Sequence, residues 1–130
     1  MLVHFPIALF VSALVFEILG LIFKKKSFQK TALHIYIFAA LFSPLVVLSG
    51  LQEADRLNLH HPILSWHKNF AFVSAGAGIF SLLVLSVLQK KSPSHFRIFF
   101  LIFLILIVVS ILLTAYNGGR LVYEYGIGQR

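Results

Sequence analysis

The sequence predicts an all-α protein, a four-helix transmembrane bundle built from two parallel hairpin repeats, and three observations carry that expectation. Apolar residues make up 59% of the 130 residues and charged ones 12%, with a mean hydropathy of +0.94, which places the chain in the membrane class. Four apolar runs, at about 2–23, 32–51, 64–88 and 98–116, are each long enough to cross ~30 Å of hydrocarbon at about 1.5 Å per residue. Charge is sorted by connection: Lys24, Lys25, Lys26 and Lys30 lie between the first two runs and Lys90, Lys91 and Arg97 between the last two, with no acid among them. The positive-inside rule then puts those turns in the cytoplasm and both termini in the periplasm of a bacterial inner membrane. The short connections leave room for one domain, 1–130, with an amphipathic tail over 117–130 lying at the outer interface.

The first span opens with Pro6 in its first turn, where a missing N–H is harmless, and places His4 at the outer helix start. No cleavable signal is evident, because no basic region precedes the run, so this helix is expected to be retained. Glu17 lies within the span, where an uncompensated charge costs several kcal/mol; it is a candidate proton or polar site, with His34 of the second span as its expected partner. In that second span Ser43-Pro44 sits mid-membrane, and the proline is expected to bend the helix. A polar loop over 52–59 then leads to His60-His61-Pro62-Ile63-Leu64-Ser65-Trp66-His67.

His67 falls more than a turn inside the third helix. At 100° per residue Ala71, Ser74 and Gly78 share its face, which is therefore lined by small residues. Such a face either lets a neighbouring helix approach closely or leaves space for a flat ligand. The fourth span is nearly uniform aliphatic and aromatic sequence and is expected to face lipid over much of its girth. Tyr123 and Tyr125 in the tail suit the interface.

The two halves echo one another. Each reads as histidine and proline at the outer surface, a span, a lysine-rich turn, a span and a glycine-containing exit, with nearly equal spacing from His4 to Lys24 and from His67 to Lys90. Parallel repeats related by an axis along the membrane normal make the first and third helices diagonal neighbours and His4 and His67 equivalent positions.

The chain has no cysteine, which excludes disulfides, thiolate metal sites, iron–sulfur clusters and covalent haem attachment. Four of the six histidines, His4, His60, His61 and His67, gather at the outer end. Two imidazoles reaching a macrocycle from opposite sides are the axial ligation of haem b, and His4 with His67 form the best pair, with Ala71, Ser74 and Gly78 lining it. His60 and His61 are weaker candidates. A Zn²⁺ or Cu²⁺ site drawing on three of these histidines with Glu53 or Asp55 is the alternative chemistry, and interfacial histidines that bind no cofactor are the third reading. No Ser-His-Asp, paired-carboxylate or phosphate-loop pattern appears, which argues against hydrolysis and phosphoryl transfer. The basic balance follows topology and does not indicate nucleic acid.

The run Leu2-Val3-His4-Phe5-Pro6-Ile7-Ala8-Leu9, the acid in Val15-Phe16-Glu17-Ile18-Leu19-Gly20, His67 at the head of the third span, and the ending Gly118-Gly119-Arg120-Leu121-Val122-Tyr123-Glu124-Tyr125-Gly126-Ile127-Gly128 resemble the bacterial membrane-protein family known as domain of unknown function 2231. The resemblance covers nearly the whole chain. It implies a four-span module that occurs alone or beside respiratory and c-type cytochrome components, and it carries His4, Glu17 and His67 forward as site candidates. Many members have histidine where Tyr125 stands, which argues against a ligand at that position here. The expected function is a b-type cytochrome-like subunit that passes electrons to or from a periplasmic cytochrome c or quinone within a respiratory assembly. The alternatives are a cofactor-free structural subunit touching lipid and other membrane subunits, and a metal- or proton-handling protein built on Glu17 and His34.

Overall fold

A computed structural model describes residues 4–56 and 62–126. Its four helices, α1 (His4–Ile22), α2 (Lys26–Arg56), α3 (Pro62–Lys91) and α4 (Pro93–Tyr123), run up and down, and each is long and apolar enough to cross a membrane. The α1–α2 and α3–α4 hairpins are the intimate pairs. The two hairpins join through looser α2–α3 and α1–α4 seams, so α1 and α3 lie across a diagonal. Both lysine-rich turns close at one end of the bundle, called here the lysine end. The start of α1, the α2–α3 connection and the end of α4 form the histidine end.

Two elements are longer than the hydropathy pattern suggests. α2 runs on to Arg56, so residues 52–56 of the expected loop are helical, and α4 continues through Asn117-Gly118-Gly119 to Tyr123, so the first part of the expected tail is helix as well. Helices of 30 and 31 residues extend about 45 Å, well past the hydrocarbon. The overhang is held by a small apolar cluster of Ala54, Leu64 and Leu121, one residue from each of α2, α3 and α4. Surface ion pairs, Arg56–Glu53 at 2.7 Å and Arg120–Glu124 at 2.9 Å, follow the helical repeat there.

α4 leaves much of its girth exposed, with Ile98, Ile102, Leu106, Val109 and Leu112 on the outside, and it also carries a buried stripe at helical spacing, Phe96, Phe100, Leu104, Ile107 and Ile111, that enters the main core beside Phe10 and Tyr36. Both its faces are apolar, so hydropathy alone could not separate core from lipid contact.

Tyr36 is the centre of the bundle. Fully buried on α2, its ring meets Phe10 of α1 edge-on at 5.6 Å and Phe100 of α4 at 5.1 Å. Its hydroxyl pairs with Ser81 of α3. Ser81 donates to the Gly78 carbonyl at 2.7 Å, so its one proton is committed and Tyr36 is the donor between the two hydroxyls. One side chain thus touches all three other helices.

Pro44 lies inside an unbroken α2. Lacking an N–H, it strands the carbonyl four residues back, that of Ala40, and the Ser43 hydroxyl donates to that oxygen at 3.0 Å. The Ser-Pro pair therefore carries its own repair, as a membrane interior requires.

Candidate functional site

At the histidine end, α3 and α4 present a polar seam inside an otherwise apolar pairing. His67, half-buried, lies on α3 with Nδ1 2.9 Å from the carbonyl oxygen of Thr114 on α4. A carbonyl only accepts, so Nδ1 carries the proton, and in a neutral ring Nε2 is left with a free lone pair. Thr114 sends its own hydroxyl back to the Ser110 carbonyl at 2.9 Å. Two turns along α3, the Ser74 and Ser110 hydroxyls lie 2.9 Å apart, and Ser74 donates to the Phe70 carbonyl at 2.7 Å. His67, Ser74 and Ser81 recur every seven residues, which keeps one polar stripe on the helix-contact face.

Gly118 completes the histidine's seat. A Cβ at this position would stand 3.1 Å from His67 Cε1 and 3.2 Å from Nδ1, whereas a Cβ at neighbouring Gly119 would meet nothing within 4 Å. The ring therefore rests on a bare backbone. Gly118→Val is expected to push the ring off Thr114 and to cost about 1–3 kcal/mol through overpacking. Gly119→Ala, at an open helical position, should be neutral or stabilising by up to about 1 kcal/mol. Thermal unfolding of the two variants in one detergent checks the contrast, and ¹⁵N shifts of the histidine rings report whether the Nδ1–H tautomer survives.

The other site candidates fall as follows. His4 begins α1 and is exposed. His60 and His61 lie outside the described residues. Ala71 is half-buried on α3. Gly78 faces the bundle interior, where an added Cβ would lie 3.5 Å from Ala40 Cβ and 3.7 Å from Phe10 Cζ. With Ser74 bonded to Ser110, the small-residue face beyond His67 is occupied by neighbouring helices in close approach. Among the described residues no three His, Cys, Asp or Glu side chains gather as a metal-ion set.

Glu17 does not meet His34. The His34 ring turns to its own helix, with Nδ1 2.7 Å from the Lys30 carbonyl, and is exposed. Glu17 is completely buried on α1 and its carboxylate receives Arg97 of α4 at 3.2 Å. The same guanidinium nitrogen lies 3.3 Å from the Gln29 carbonyl on α2. Three helices are therefore clamped near the lysine end, beside Gly20, where a Cβ would lie 2.6 Å from Gln29 Cγ. The sequence did contain a signal for this partner. Arg97 is the sole arginine among the bases of the lysine end, and arginine is the base suited to a buried carboxylate because its fork stays charged and donates to several acceptors at once. Thr114 and Gly118 gave no comparable sign, since threonine and glycine are common in membrane helices for packing alone.

Four apolar helices around a polar-stitched core define a multi-pass membrane protein of the four-helix class. The chain belongs to the family described as predicted membrane protein, DUF2231, whose model matches residues 1–130. No curated protein and no solved structure matches the chain.

Proposed function

We propose that the protein is a small b-type cytochrome-like subunit that holds a haem at its histidine end and exchanges electrons within a bacterial respiratory assembly. The observation that supports this most is the seat of His67. A histidine that binds a metal generally donates its other ring N–H to a carbonyl or carboxylate, which fixes the tautomer and raises the basicity of the ligating nitrogen. The bond from Nδ1–H to the Thr114 carbonyl has that form and turns Nε2 into the donor.

His4, exposed at the start of the diagonal helix α1, would supply the second imidazole in this reading. The donors suit haem iron, which takes two imidazoles and needs no thiolate. Ser74 and Gly78 are packed against neighbouring helices, so in this reading His67 and His4 would hold the group at the outer rim. Bound haem supplies one-electron chemistry, and the chain's task is to hold and orient it. With the lysine end in the cytoplasm, this rim faces the periplasm, within reach of a cytochrome c or of quinone at the interface.

The test is a visible spectrum of protein produced with ample haem. A low-spin Soret band in the wild type, abolished by His67→Ala and by His4→Ala, is the expected result. A wild type free of any Soret band would sink the reading.

A second reading rests on the same polar seam. The bond from His67 to Thr114 and the Ser74–Ser110 pair also serve as helix clamps, and a cofactor-free structural subunit of a membrane complex would need nothing more. In that case His67→Ala weakens the α3–α4 pairing and changes no spectrum.

A further inference from the structure

The two ends of the bundle handle charge differently. At the histidine end the described arginines are neutralised within their own helices, Arg56 by Glu53 and Arg120 by Glu124. At the lysine end Lys24, Lys25, Lys26, Lys30, Lys90 and Lys91 are all exposed, and among the described residues none of them forms an ion pair. The one carboxylate near that end, Glu17, is buried and committed to Arg97. Six ammonium groups therefore stand at the turns of both hairpins with no counter-charge paired to them among the described residues.

We propose that the lysine end is a binding surface for anionic phospholipid headgroups, taking lipid phosphates with lysines of both turns. Depth favours lipid over an acidic protein partner. Lys24 and Lys25 lie in the α1–α2 turn, Lys26 and Lys30 in the first turns of α2, and Lys90 and Lys91 in the last turn of α3, directly beyond the apolar spans, which is the level of the phosphates. They are shared between the two hairpins and do not form a patch on one side. Clusters of four to eight bases immediately beyond membrane spans attract anionic lipid in this way. Lys24 also occupies a left-handed backbone conformation, φ 53°, at a helix C-terminus closed by the bond from Lys25 N–H to the Gly20 carbonyl at 3.1 Å. Glycine is the usual residue there, so a lysine is kept against the backbone's preference.

Full-length protein in nanodiscs of equal phosphatidylglycerol and phosphatidylcholine, released and read by native mass spectrometry, tests the proposal. Retained lipid should be enriched in phosphatidylglycerol, by about fivefold for each lysine engaged, and raising the salt to about 0.5 M should erode the enrichment by screening. Substituting Lys25, Lys26, Lys90 and Lys91 together by Gln should cut the enrichment severalfold, while Lys68→Gln at the histidine end should leave the preference intact. Equal retention of the two lipids by the wild type overturns the proposal. So does a preference that survives both the salt and the fourfold substitution. The salt arm uses the wild type alone, so an unstable variant leaves the test in force.

Discussion

Replacing Arg97 by alanine is expected to cost about 3 kcal/mol, toward the lower end of what breaking a buried ion pair costs. The lower end applies because Arg97 keeps 31% of its side chain exposed while Glu17 keeps none. The two partners are not equivalent. Arg97 has a long stem and begins one turn into α4, so after Glu17→Ala it retains the Gln29 carbonyl and can extend toward the interface. Glu17 has a short stem and is enclosed by α1, α2 and α4, so after Arg97→Ala it has no path to water. Arg97→Ala should therefore be the more damaging variant. Changing both to leucine should recover most of the loss, since what destabilises is the orphaned charge and not the missing attraction. Unfolding midpoints of the four proteins in one mild detergent decide this. Single variants as stable as the wild type would show that the clamp contributes little.

The clamp divides what the sequence specifies from what only the fold does. The four spans, their alternation and the pairing of helices into hairpins follow from run length and lysine placement, because hydrocarbon thickness and the cost of buried charge act on each segment by itself. Glu17 was recognisable for the same reason: one carboxylate among apolar neighbours is conspicuous. Its partner depends on which helix lies beside α1 at that depth, a tertiary fact, and His34 is near in sequence but turned outward.

The ends of α2 and α4 were hidden because hydropathy marks where hydrocarbon stops and not where a helix does. Asn117-Gly118-Gly119 reads as an exit signal, yet Leu121 buried against Ala54 and Leu64 draws the helix onward, and Gly118 is needed to seat His67. His67 itself was legible as a candidate from its company of histidines. Its orientation was not, since that rests on a carbonyl, a group every residue has.

Tyr36 gives no sign in the sequence because a tyrosine in an apolar run looks like any other aromatic, yet its truncation to alanine should cost at least as much as Arg97→Ala. In a water-soluble core such a loss combines a transfer term with a cavity term. Here the separated helices would also lie in an apolar medium, so the transfer term shrinks and the cavity dominates. A void of roughly 100 Å³ at about 24 cal/mol per Å³ predicts about 2.4 kcal/mol. Added to it are the edge-on contacts with Phe10 and Phe100, worth about 0.5–1.5 kcal/mol each. Tyr36→Phe keeps the ring and removes only the hydroxyl, while Ser81 still donates to the Gly78 carbonyl, so no buried donor is stranded. Its cost should stay near 0.6 kcal/mol, the average for a side-chain hydrogen bond between membrane helices. Unfolding of the alanine and phenylalanine variants side by side separates packing from hydrogen bonding at a residue that reaches every other helix. A phenylalanine variant as unstable as the alanine variant would transfer that role from the ring to the hydroxyl.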